Sequence, residues 1–299
     1  MACYAGKQMR RVFIVSVIAM LLASGTALAE AEESSRVAAD ATPEPSPSVS
    51  SAALQAGSWK QDVMVALIGG GVRFRRIHLE VGDGMGGTEP RDFDTGAYFD
   101  FGYHLFIRPM GRRSPRPAIR AIVLQLDGGS SIGLSVEPVG TGISLKANIW
   151  RMRGQFGYLY PIDRWQLGGL IGVGGNVFNI DLNSVLPSAR IIYVRLGPAG
   201  IVELVGDFLM LRVDFGLRFP FDLGELDEAF GHDSRAFGLD SMLTLQGRSK
   251  VGFTYALRFA WEYYTLRFAG SADNVPAMAE GGSGDDHAVN LQLLLGWSL

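Results

Sequence analysis

Val251-Gly-Phe-Thr-Tyr-Ala-Leu-Arg-Phe-Ala-Trp-Glu-Tyr263 is the stretch whose reading decides the fold. Its odd positions, Val251, Phe253, Tyr255, Leu257, Phe259, Trp261 and Tyr263, are all apolar or aromatic. Its even positions, Gly252, Thr254, Ala256, Arg258, Ala260 and Glu262, are small or polar. Successive side chains of a β-strand point to opposite faces, so this is one strand with a greasy face and a wet face. A strand on a soluble core alternates in the same way but is usually about 5–6 residues long. A strand that crosses a bilayer needs about 9–11. Thirteen unbroken positions, with large aromatics near both ends of the greasy face, fit a membrane strand.

The pattern recurs along the chain. Alternating segments are read at about 62–79, 95–107, 118–136, 143–160, 165–181, 189–205, 208–219, 236–246, 251–263 and 287–299. Ten is an even number, as single-chain bacterial barrels require. The expected fold is all-β: an antiparallel up-and-down transmembrane β-barrel of about ten strands, with eight to twelve compatible because two segments could be hairpins. Gly69-Gly70-Gly71 marks either a bend in the barrel wall or a hairpin, and Asp127-Gly128-Gly129 either a turn or the middle of one long strand. In the fourth segment the apolar positions change from odd (Leu145, Ala147, Ile149) to even (Trp150, Met152, Phe156, Tyr158, Tyr160), which predicts a β-bulge near 149–150. Pro198 counts against an uninterrupted sixth strand unless a bulge sits there. After Tyr263 the alternation loosens through Tyr264 to Phe268, predicting a membrane boundary or a bulge.

The connections are asymmetric. With the first strand rising from the periplasm, outward loops fall at about 80–94, 137–142, 182–188, 220–235 and 269–286, and inward turns at about 108–117, 161–164, 206–207 and 247–250. Long outer loops and short periplasmic turns are the expected arrangement, with 108–117 the exception. The three longest outer loops are acidic, whereas 108–117 carries Arg108, Arg112, Arg113 and Arg116 and no acid. Such an acidic mouth would gather divalent cations that bridge lipid phosphates, although solvated polar loops are the commoner outcome.

Composition agrees. Of 299 residues 47% are hydrophobic and 39 are glycine, yet no apolar run in the body approaches the ~20 residues of a membrane helix. Lys7, Arg10 and Arg11 precede an apolar run, Val12 to Ala23, and Ala27-Leu28-Ala29 supplies the small residues of a cleavage site. Residues 1–29 are therefore expected to be a secretory signal peptide. The only cysteine, Cys3, leaves with it, which excludes thiol chemistry from the mature chain. Loss of the three bases takes the formal charge from −3 to −6, so no nucleic-acid partner is expected. Residues 30–58 are rich in Ala, Glu, Ser and Pro and lack an apolar core, which predicts a disordered periplasmic linker before a barrel at 59–299.

With its signal segment, period-2 strands, loop asymmetry and terminal strand 287–299, the chain resembles the small bacterial outer-membrane β-barrel superfamily. The resemblance covers about residues 60–299. It implies residence in the cell outer membrane, contact with outer-membrane lipids, and insertion by the barrel-assembly machinery through the last strand. The family pattern favours a terminal phenylalanine. This chain ends Gly296-Trp297-Ser298-Leu299, with its aromatic two residues early.

The wet faces carry the candidate chemistry: Arg73, Arg75, Asp100, Asp127, Arg151, Arg153, Arg212, Asp214, Arg218, Asp240, Arg258 and Glu262. A barrel of about ten strands has a narrow lumen, so these are expected to form a mixed-charge network inside it. For Arg258 and Glu262 the partners are expected on adjacent strands, at Asp240 and Gln246 or at Asn290 and Gln292. The function read from this is a non-enzymatic structural or narrow-pore role in the envelope, without cofactor, metal or catalytic residues. One alternative is a lipid hydrolase or acyltransferase built on His78, His287 or His232, with Asp285-Asp286-His287 as a weak metal motif. A second is a secreted soluble β-barrel or sandwich that binds a small lipophilic ligand.

Overall fold

The computed structural model describes residues 62–299, apart from 83–86, 112, 113, 115, 139–143, 182–186, 207, 232 and 270–280. The expected signal peptide and linker lie outside the described residues, as does His232. The strand segments are β1 (Met64–Gly82), β2 (Thr88–Ile107), β3 (Ile122–Ile132), β4 (Ser135–Pro138), β5 (Leu145–Ile162), β6 (Trp165–Ile180), β7 (Ala189–Val205), β8 (Leu209–Asp222), β9 (Arg235–Arg248), β10 (Phe253–Phe268) and β11 (Gly282–Ser298). Two short helices, α1 (Pro117–Arg120) and α2 (Glu225–Phe230), sit in connections. All pairings are antiparallel. β3 and β4 both lie between β2 and β5 and are two pieces of one barrel strand. β1 pairs with β11 from Val65↔Ser298 to Val81↔Gly282, which closes the sheet. The result is a closed antiparallel ten-stranded β-barrel with no free sheet edge, the one sheet form whose backbone is fully paired inside a bilayer.

The strands invert their chemistry part of the way up. On β1 the outward side chains are Ile68, Val72 and Phe74, then Arg76, His78 and Glu80; the inward ones are Arg73 and Arg75, then Ile77, Leu79 and Val81. The eleven residues Met64–Phe74 rise about 25–30 Å at the strand rise and a barrel tilt of 35–45°, which matches the height of an outer-membrane apolar band. Arg75 to Gly82 therefore continue the wall beyond the bilayer. β10 changes at the same level: Leu257, Phe259, Trp261 and Tyr263 face out below Thr265 and Arg267, and Arg258 and Glu262 face in below Tyr264, Leu266 and Phe268. A strand facing lipid outside and a polar interior inside must exchange its faces once water replaces lipid.

This inversion corrects several expectations. No bulge interrupts β5, whose register with β6 is constant from Ala147↔Ile180 to Ile162↔Trp165. The odd positions face inward throughout, and Leu145, Ala147 and Ile149 are simply the apolar interior of the extramembrane part. β10 runs on to Phe268 with unbroken register, so of the two expectations for the loosened pattern after Tyr263 the bulge fails and the boundary, a change of surroundings, stands. The real irregularities lie elsewhere. The pairing of β1 with β2 shifts between Phe74 and Arg76, opposite Gly96, whose φ of 56° only glycine adopts without strain. The third barrel strand runs straight through Asp127-Gly128-Gly129 and breaks at Gly133 (φ 65°), turning Leu134 and Val136 inward. Pro198 faces outward in β7; the ladder to β8 lacks its rungs at 197–198 but keeps its register. Gly69–Gly71 stay within one strand, and a Cβ on Gly71 would run into the Leu291 carbonyl, so the glycines allow the wall to coil tightly.

Candidate functional site

The interior is stacked in three layers. At the periplasmic end an apolar layer takes buried side chains from every barrel strand except β9, among them Leu67, Phe106, Val123, Leu159, Ile201 and Leu294. At the outer end a larger apolar cluster includes Leu79, Phe93, Ile149, Phe178 and Leu266. The β8–β9 connection folds over it: α2 inserts Leu226 and Phe230, with Leu223 beside them, and Phe230 lies 5.4 Å from the Phe268 ring. Between the two apolar layers, at bilayer height, lies the charge layer.

The charge layer is built on carboxylates that each collect several donors. Asp100 accepts from Arg151, at 2.7 Å for one of two bonds, from Asn290 at 2.9 Å and from Gln292 at 2.8 Å. Asp127 accepts from Arg153 and Arg258, both at 3.1 Å, and His104 Nδ1 lies 2.7 Å from it. Asp240 accepts three bonds from Arg195, the shortest 2.7 Å, and one from Arg218 at 2.6 Å. Glu262 accepts from Arg73 at 2.8 Å and from Arg218 at 3.2 Å. Asp214 pairs with Arg212 at 2.9 Å, and Asp286 takes two bonds from Arg75, the shorter 2.6 Å. Arg218 also donates to the Tyr264 hydroxyl and stacks 4.6 Å over the Tyr193 ring. Charge-assisted, multiply bonded pairs are the form in which ions are tolerated at low dielectric.

All twelve lumen residues read from the sequence point inward, and they join one layer. Their partners differ from the expectation for β10. Glu262 reaches Arg73 two strands away and Arg218 on β8, and Arg258 reaches Asp127 on the opposite wall. In a narrow barrel the shortest route from a long side chain to a counter-ion crosses the lumen. Sequence reasoning missed Asp286, which falls in the segment read as an outer loop, and Asn176, which donates to Glu262 and to the Tyr264 hydroxyl. The continuation of the inward phase of β11 from Gln292 to Asp286 was the available signal.

A central cavity of about 50 Å³ opens among Arg73, Arg151, Arg153, Asp127, Asp240, Arg258 and Glu262. Of the arginines that line it, Arg73, Arg153 and Arg258 each have a buried Nε without a hydrogen-bond partner.

The histidines are separated. His104 belongs to the charge layer. His78 and His287 face outward on neighbouring strands just above the bilayer boundary: His78 Nδ1 is 2.7 Å from Asp92, and His287 Nε2 is 3.0 Å from Asp285. The Asp92 carboxylate, through this hydrogen bond, raises the His78 pKa above its ordinary value against a small opposing effect of burial. The His287 ring lies 4.5 Å from that of Tyr263. Among the described residues neither imidazole is hydrogen-bonded to a hydroxyl, and Asp286 faces the lumen while Asp285 and His287 face out, so that motif does not converge. No group of three or more metal-binding side chains gathers among the described residues.

The exterior completes the definition of class. Below the boundary the outer wall is a belt of exposed Phe, Leu, Ile and Val, with Trp150 and the half-buried Trp261 and Tyr263 toward its outer edge and Tyr160, Trp165 and Trp297 toward its periplasmic edge. Soluble proteins do not expose apolar surface on this scale, and aromatic residues at both rims mark a bilayer. The molecule is an integral outer-membrane β-barrel protein.

No family model matches the chain, and no curated protein matches it. Solved structures overlap in architecture: the outer membrane protease OmpT from Escherichia coli (11% identity, 82% of this chain and 99% of that one, TM-score 0.46) and a Pseudomonas aeruginosa FadL homologue (7%, 79% and 90%, TM-score 0.29). A deletion mutant of the monoaromatic hydrocarbon channel TodX also overlaps (8%, 80% and 91%, TM-score 0.30). Likenesses of this size leave the activity of this barrel open.

Proposed function

We propose that this protein is a closed, non-enzymatic barrel that serves the outer membrane as a structural element. The observation that carries this reading is the filled lumen. Two apolar layers flank a paired charge layer, and among the described residues side chains such as Asp100, Arg195, Arg218 and Leu294 are 0–1% exposed, so packed side chains take up most of the lumen. A selective pore needs sites that ions can enter and leave; interlocked arginine–carboxylate pairs do the opposite. The belt meets outer-membrane lipids, β11 is the strand offered to the barrel-assembly machinery, and the acidic outer loops are where divalent cations would bridge lipid phosphates. Purified protein in planar bilayers is expected to give no conductance above background. Discrete channel events would overturn the reading.

The outward His78–Asp92 and His287–Asp285 pairs keep a lipid hydrolase as the second reading, because a base held by a carboxylate at headgroup height is half of such a site. Lipids incubated with the protein and with a His78→Ala/His287→Ala variant should give the same chromatographic pattern. A product formed by the parent protein alone would favour the hydrolase.

A further inference from the structure

We propose that the central cavity of the charge layer holds a small inorganic anion of chloride size, among Arg73, Arg153 and Arg258. The first observation is charge balance. The ion pairs of the layer join eight arginines (Arg73, Arg75, Arg151, Arg153, Arg195, Arg212, Arg218, Arg258) and six carboxylates (Asp100, Asp127, Asp214, Asp240, Glu262, Asp286). A guanidinium does not lose its proton in a protein, so the layer carries two positive charges in excess with His104 neutral. The second is local. The cavity wall holds five arginines (Arg73, Arg151, Arg153, Arg218, Arg258) against three carboxylates, Asp127, Asp240 and Glu262. Those carboxylates already accept from two or more donors each. The third is that Arg73, Arg153 and Arg258 each keep a buried, unpartnered Nε–H.

A buried charge without a counter-charge is costly at low dielectric, and a buried donor without an acceptor adds to that cost. Water in the cavity would supply acceptors but no charge; an anion supplies both. The volume of about 50 Å³ exceeds the ~10–15 Å³ that one water requires, yet is too small for a metabolite carboxylate with its carbon body.

Crystals of the full-length protein grown in sodium bromide test this directly. An anomalous peak in the cavity beside Arg73, Arg153 and Arg258 is expected; a cavity with no anomalous signal overturns the proposal. In detergent, the melting midpoint should be about 2–4 °C higher in sodium chloride than in sodium gluconate at equal ionic strength, the shift that a modestly bound ligand gives a barrel of this size. Equal midpoints overturn it. Arg258→Gln removes one excess charge and should abolish the chloride dependence; if that variant does not fold, the bromide measurement on the parent protein still decides. Anion occupancy is read in crystals and conductance in bilayers, so failure of one does not imply failure of the other.

Discussion

The half of the barrel inside the bilayer and the half above it are made from the same strands in the same register, and they are chemical opposites. In the lower half β1 presents Ile68, Val72 and Phe74 to lipid and Arg73 to the lumen; directly beyond the boundary it presents Arg76, His78 and Glu80 to water and Ile77, Leu79 and Val81 to an apolar core. β5 and β10 do the same without a register shift to their neighbours β6 and β11. The phase of an alternating pattern thus reports which solvent each face meets, and a reversal of phase need not be a bulge. The upper half is held as a soluble β-protein is held, by burial of apolar surface. The lower half, whose exterior gains nothing from leaving water, is held by its backbone ladder and by the ion pairs inside.

That contrast can be broken from either side. The largest effect is expected in the lower half. Asp240→Ala strands Arg195 and takes from Arg218 one of its two carboxylate partners, both arginines being fully buried, and should cost about 3–5 kcal/mol, read from urea unfolding out of lipid vesicles; a loss no larger than that of a surface substitution would dismiss the ionic account of the lumen. In the upper half the corresponding change is apolar. Leu79→Ala empties a position 1% exposed and should cost about 2–5 kcal/mol, with no change in the dependence of stability on lipid thickness.

The outer face gives a smaller and sharper contrast. Leu293→Arg puts a charge into the lipid belt on β11 and should cost about 2–4 kcal/mol. Ser283→Arg, on the same face of the same strand but above the boundary, should stay within about 0.5 kcal/mol. Similar costs at both sites would mean that the membrane level has been misplaced. The smallest effect concerns the His78–Asp92 pair. Because Asp92 raises the pKa of His78, the pair contributes stability that is fully present below the unfolded-state value near pH 6.5 and is lost as pH rises through the folded-state pKa. The pair is partly exposed and screened, so the contribution stays under about 1 kcal/mol. In unfolding measured from pH 5 to 9, His78→Ala should remove the alkaline loss, and an unchanged pH profile would show that the pair is energetically silent.

The strands and their lipid-facing positions were readable in the sequence because both depend on neighbouring residues alone. Alternation in 251–263 names the outer face of β10 from Phe253 to Tyr263, and the short links such as 163–164 mark the periplasmic end. The identities of the inward charges were readable for the same reason. Which charge meets which was not. Arg258 with Asp127, and Glu262 with Arg73, are joined only because closure of β1 on β11 and the width of the lumen bring opposite walls within one side chain's reach. The apolar clusters toward the two ends, the surplus of arginine around the central cavity and the packing of α2 on the outer cluster are likewise decided by the tertiary structure. Each sums contributions from nearly all ten strands, and no local pattern carries that sum.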